Sequence, residues 1–258
     1  MKRYLLAVAA LLITWTCLHA QEPVKTFELH GITVRLVYVE GATFMMGAQP
    51  TELVEGDLDE QVRHKVRVNS FYMLETPVTV RLWDSVFWNR EVEPNETSNH
   101  PITGATYSDV TNFFYRLESQ LGVKFRLPTE AEWEFAARGG RKTRGYRYSG
   151  GHGIDAVAWY EGNSGGALHD VAKKTPNELG LYDMSGLVWE MCSDWYDDYI
   201  ATEAVQDSPA GPEDGTLRVI RGGSCNSDEN DCRVVRRGFT LPKKGKGGIG
   251  FRFVMDVE

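Results

Sequence analysis

The chain has 258 residues, with 28 Lys and Arg against 36 Asp and Glu and a formal net charge of −8. With 42% apolar residues, 11% aromatics and seven Trp, it is not a disordered chain, which lacks the apolar surface to order itself. The acidic surplus excludes nucleic acid as the expected partner, because binding phosphate calls for positive charge.

In chain order, residues 1–20 (MKRYLLAVAALLITWTCLHA) carry the marks of a secretory signal: Lys2 and Arg3, an apolar run from Leu5 to Trp15, and a small-residue exit at Ala20 before Gln21. The run is short for a bilayer span, and no other segment is apolar enough to be one. A lipid anchor at Cys17 is the competing reading, against which bulky Trp15 counts. Cleavage leaves residues 21–258 as one domain, secreted or periplasmic, and its loss of two basic residues takes the charge from −8 to −10. Three cysteines remain, Cys192, Cys225 and Cys232. In an oxidising compartment that odd number predicts one disulfide and a spare thiol, or three thiols with a chemical task.

Residues 32–39 alternate as a strand, and 41–47 continue as a turn and a second strand. Residues 48–61, with Glu52, Glu55, Asp57, Asp59 and Glu60, read as an exposed loop, and 62–74 return to a β pattern. Val110, Phe113, Phe114 and Leu117 follow helical spacing over 107–121, with Gly122 as the stop. Thr129 and Glu132 form a capping box opening a second helix, which Gly139 and Gly140 end. Residues 140–180 have no periodic pattern, and so long an irregular stretch inside a domain is usually functional or held by ligands or ions. Short strands are expected within 181–196, 218–225 and 249–257. The sum is one α+β domain with two helices, short strands and long organised loops.

Four segments then carry a resemblance: Gly41-Ala-Thr-Phe-Met-Met-Gly47, RLPTEAEWEFAARGG (126–140), PNELGLYDMSGLVWEMCSDWY (176–196) and RVIRGGS…CRVVRR…GIGFRFV (218–254). Together, in this order, they resemble the formylglycine-generating enzyme family, also called sulfatase-modifying factors. The resemblance implies a loop-rich, C-type-lectin-like fold. It also implies a choice of activities. The namesake enzymes oxidise a Cys in a Cys-x-Pro-x-Arg segment of a sulfatase with copper and oxygen, other members are iron-dependent sulfoxide synthases, and many are binding modules. The scattered histidines 30, 64, 100, 152 and 169 supply no cluster for iron.

The oxidases hold copper between two Cys, three and eight positions after the Ser of a Gly-Gly-Ser turn, because soft Cu(I) accepts two thiolates. Counted from Ser224, the eighth position is Cys232 but the third is Ser227, a hard ligand, and Cys225 comes two residues early. The resemblance therefore implies a non-oxidase module binding a ligand or protein. The alternative is a divergent oxidase with Cys225, Cys232 and Ser224 as its catalytic set and copper as cofactor. Cys232 paired with Cys192 or Cys225 is the structural reading of the same residues.

The resemblance also places a structural calcium, through side-chain oxygens of Asp183 and Glu190 and carbonyls of Gly186 and Val188, hard donors of the kind calcium requires. The plainer reading has Asp183 capping a turn and Glu190 in an ion pair. Finally, nine basic residues between Arg218 and Arg252 face three acidic ones. They suggest a cleft for an anionic glycan or acidic peptide, or, for Lys243, Lys244 and Lys246, a solvated loop. A sulfatase or another exported protein is the other expected partner.

Overall fold

Strand β2 (Ile32–Val39) begins with the alternation of a half-buried strand, Thr33 and Arg35 out and Val34 and Leu36 in, and ends with Val37 and Val39 buried as well. The switch has a tertiary cause: the sheet it belongs to separates two apolar cores. Strand β5 (Phe71–Leu74) is buried along its whole length because Tyr72 and Leu74 face one core and Phe71 and Met73 the other. These two strands are the middle of an antiparallel sheet flanked by β1 (Val24–Leu29) and β11 (Val254–Asp256), so the last strand pairs Val254 with Met73. The computed structural model describes residues 22–49, 62–93, 99–199 and 203–257; the signal segment and most of the acidic loop lie outside them.

The first core is covered by α1 (Val80–Trp88) and α2 (Tyr107–Leu121), which contribute Leu82, Val86, Val110, Phe113 and Leu117. Trp83 stacks on Phe113 at 5.3 Å, and Phe251 meets both edge-on. Helix α2 keeps its expected bounds, with Gly122 closing it at φ 69°. Helix α1 is an addition to the two expected; Thr79 caps it through the Leu82 amide at 3.1 Å.

The second core surrounds α3 (Glu130–Ala137). Its capping box forms as expected, with the Thr129 hydroxyl on the Glu132 amide and Glu132 on the Thr129 amide. All eight residues of α3 are buried, so it lacks the polar face of a surface helix and runs through the interior. It packs against a second sheet, ordered β10 (Ile249–Gly250), β6 (Trp189–Trp195), β8 (Arg218–Arg221) and β9 (Arg237–Thr240), with β10 parallel to β6. A third sheet joins β3 (Thr43–Met46), β4 (His64–Arg67) and β7 (Gln206–Asp207).

Residues 140–180 hold only a 3-10 turn (Gly140–Lys142) and the single-turn helix α4 (Ile154–Val157), so the structure has four α-helices among the described residues. The irregular stretch is anchored by scattered backbone bonds, among them Glu161 N–H to Ser227 C=O at 3.0 Å and Thr175 N–H to Ala156 C=O at 2.9 Å. Among the described residues no helix is long and apolar enough to cross a membrane.

Candidate functional site: a buried thiol loop above a carboxylate hub

The thiol loop starts where β8 ends. Gly222 and Gly223 turn the chain at φ 98° and 76°, a region that L side chains rarely adopt. A Cβ on Gly223 would lie 2.8 Å from Cys232 Sγ, so the missing side chain is what lets the loop close on that thiol. The loop is then fixed by its own hydroxyls. The Ser224 amide donates to Ser227 Oγ at 3.1 Å, and the two hydroxyls lie 3.2 Å apart. Ser164 donates to the Cys225 carbonyl at 2.6 Å and Ser185 to the Cys232 carbonyl at 2.8 Å.

Tyr148, Ile154, Val157 and Ala158, from the irregular stretch, bury Cys232 completely. Burial, followed by Asp231, Asp228 and Glu161, pushes its thiol far above the ordinary range; burial also raises Cys225. A reactive thiol needs a cation or helix N-terminus to favour its thiolate, and the nearby charges acting on Cys232 are acidic. Cys192 lies in the second core, apart from Cys232, and all three cysteines are free. The expectation of one disulfide is corrected here: Cys192 on β6 and Cys232 in its own cluster pack into different parts of the interior.

The second candidate set lies on the loop leading into β6. Asp183, Gly186 and Leu187 have φ of 58°, 75° and 63°, and a Cβ on Gly186 would collide with the Trp159 carbonyl at 2.2 Å. Asp183 Oδ2 accepts from the Ala172 amide at 2.7 Å. Its carboxyl is raised to about 6, chiefly by burial, and that amide and Arg252 only partly offset the shift. A buried carboxylate so poorly compensated suits a cation. Glu190 is differently placed. It takes Arg252 through both oxygens at 2.6 and 2.7 Å and the Trp133 indole N–H at 2.7 Å, the ion pair of the plainer reading. The Gly186 carbonyl already accepts from the Val188 amide at 2.9 Å. Of the four residues, Asp183 is thus the one whose charge the protein leaves open. Among the described residues no three His, Cys, Asp or Glu side chains converge as metal ligands, so an ion here would lean on backbone oxygens.

The basic run resolves differently from the cleft it suggested. Arg221, Arg233, Arg237 and Arg252 are buried. Arg237 forks onto Glu130 at 2.8 and 2.9 Å, and Arg221 pairs with Glu134, which also receives Arg138 at 2.9 Å. Burial works to raise Glu134, yet Arg138 and Arg221 bring it below the ordinary carboxylate value. Arg236 pairs with Asp231, and Arg218 lies over Trp195 at 3.5 Å. Only Lys243, Lys244 and Lys246 of the nine are fully exposed. Of the nine, Arg221, Arg237 and Arg252 are therefore the answering half of a carboxylate hub on α3 and β6. Sequence reasoning missed that hub, although Glu130, Glu132 and Glu134 at alternate positions of a short capped helix were its visible trace.

A family model for the sulfatase-modifying factor enzyme 1-like domain matches residues 23–257. The serine/threonine-protein kinase pkn1 of Chlamydia pneumoniae is 32% identical over 257 residues, covering 88% of this chain and 39% of that protein. The formylglycine-generating enzyme of Streptomyces coelicolor is 34% identical over 177 residues, 62% of this chain and 54% of the enzyme. Among solved structures, Treponema denticola variable protein 1 superposes with a TM-score of 0.78 at 27% identity, covering 91% of this chain and 99% of its own. PvdO from Pseudomonas aeruginosa gives 0.77 at 25%, covering 92% and 100%. The α+β, C-type-lectin-like fold expected from the sequence is the fold observed. The chain spans about two fifths of the length of the chlamydial relatives it matches.

Proposed function

Since the chain belongs to the sulfatase-modifying factor family, we propose that it is an exported member that works as a binding module and not as a copper oxidase. The observation that carries this reading is the Ser224–Ser227 hydroxyl pair. Ser227 stands where the family's oxidases have a copper thiolate, and its oxygen is engaged in holding the loop. The remaining thiols, Cys225 and Cys232, are buried and shifted toward the protonated form, which opposes both metal capture and nucleophilic chemistry.

The competing oxidase reading has one observation in its favour: Cys225 is near enough to Cys232 for its charge to raise that thiol. A competitive chelator titration of Cu(I) on the reduced protein, with Cys232→Ser as control, separates the two. The expected result is no binding above the control. Tight one-to-one binding lost in Cys232→Ser overturns the proposal and leads to an oxidation assay on a Cys-x-Pro-x-Arg peptide. Calcium at Asp183, with the Val188 and Gly186 carbonyls and any lone pair of Glu190 that Arg252 leaves, completes the proposal as a structural ion. Its partners would be an exported protein, a sulfatase included, or an anionic glycan met by the exposed lysines.

A further inference from the structure

Away from the thiol loop, a cavity of about 330 Å³ opens where α3, β6 and β9 meet the 209–212 segment, a size at the low end for small-molecule sites. Its inner acceptors are nearly all engaged. Both Glu130 oxygens are held by Arg237, and Oε1 also accepts from the Tyr199 hydroxyl at 3.1 Å. Asp194 Oδ2 accepts from the Glu130 amide at 2.9 Å and the Ser193 hydroxyl at 3.1 Å. Asp194 Oδ1 accepts no hydrogen bond from the described residues, and the residue is only 4% exposed. At the mouth stand Asp197 and Asp198, both exposed. We propose that this cavity binds an organic ammonium group, which donates to Asp194 Oδ1 while Asp197 and Asp198 attract it at the entrance.

The other ligand classes fit less well. A divalent ion wants several converging oxygens, and no such set of side chains exists among the described residues. A guanidinium fork wants both oxygens of one carboxylate, and Asp194 has one open while Glu130 has already taken Arg237. An anion would face Asp194, Asp197 and Asp198, and Arg237 gives its Nε and Nη2 to Glu130. The acid itself is poised for a cation: burial, then Glu130, raises the Asp194 carboxyl to about 7. The titratable and charged groups that face it are Glu130 and Glu132 of α3, Tyr107 of α2, Cys192 of β6, Arg218 of β8 and, lining the cavity, Arg237, His64, Asp197 and Asp198. An ammonium favours the ionised acid, so binding releases a proton and tightens as pH rises through that value.

The inference is independent of what the thiols do, so the copper titration and this test fail separately. The probes are Nα-acetyl-lysine methylamide, n-butylamine and Nα-acetyl-arginine methylamide, titrated calorimetrically into the purified protein from about one unit below to about one unit above the Asp194 value. The expected result is saturable binding of the amines, stronger at the higher pH, with the arginine probe weaker. Asp194→Asn, which can still accept the Glu130 amide, should weaken amine binding about tenfold, the worth of one charge-assisted hydrogen bond. Ala210→Trp, at an exposed position of the rim, should block it without touching the hub and keeps the test open if Asp194→Asn fails to fold. Tighter binding of the lysine probe than of butylamine assigns a protein-borne lysine, and the reverse a free amine. No saturable binding at any pH, an arginine probe as tight as the lysine one, or amine binding unchanged in Asp194→Asn overturns the proposal.

Discussion

Glu190 and Asp183 are two buried carboxylates with opposite situations. Glu190 accepts three charged or indole N–H bonds, whereas Asp183 has one amide and a raised carboxyl. Removing the Glu190 side chain would strand a fully buried guanidinium on Arg252. Glu190→Ala should therefore cost about 3–5 kcal/mol in denaturant unfolding, with little difference between calcium and chelator. A loss confined to calcium would give Glu190 to the ion and not to Arg252. Neither role was separable in the sequence, because the string Asp183-x-x-Gly-x-Val-x-Glu190 is the same whether a cation or Arg252, 62 residues on, neutralises the glutamate.

Helix α3 is the element on which the interior hangs, and its start is legible in four residues. Thr129 and Glu132 satisfy two amides that a helix N-terminus leaves open, a local pattern that needs no tertiary partner. Thr129→Ala should cost about 1 kcal/mol, read as a lower denaturant midpoint at constant slope. No shift would mean that burial, and not the cap, sets where the helix begins. The end of α3 was less legible. The helix stops at Ala137, before Gly139, and its eight residues have no amphipathic stripe because every side of them is covered. Helix α1 escaped the reading although Leu82 and Val86 have helical spacing and Thr79 and Asn89 cap it.

For the whole molecule, the buried acids set a pH dependence whose sign can be worked out. Asp183 and Asp194 have folded values raised to about 6 and about 7, so between the ordinary carboxylate range and those values the folded state holds more protons than the unfolded one. Stability then falls as pH rises through that window, by roughly 3 kcal/mol for Asp183 alone. Glu134 is lowered and acts the other way: its contribution is present above the ordinary carboxylate value and is lost in acid as pH falls through its folded value. Melting temperature in chelator should thus decline from about pH 5 toward pH 7, and calcium should recover part of the decline through Asp183. A calcium-independent profile would remove the ion from this loop.

What is local or periodic could be read from the residue order: the strand over 32–39, helix α2 and its glycine stop, the cap of α3, the glycine turn before Ser224, and the family with its C-type-lectin-like fold. Alternation, capping chemistry and left-handed turns act over a few residues and leave their trace there. How the charges are used was settled by the folding of distant segments onto one another. It turned Arg221, Arg237 and Arg252 inward onto Glu134, Glu130 and Glu190, left three cysteines unbridged, and gathered Asp194, Tyr199 and Arg237 around a cavity. Coulomb attraction between residues 62 or 107 positions apart in the chain depends on distance in space and burial, and neither is written in the spacing of the residues along it.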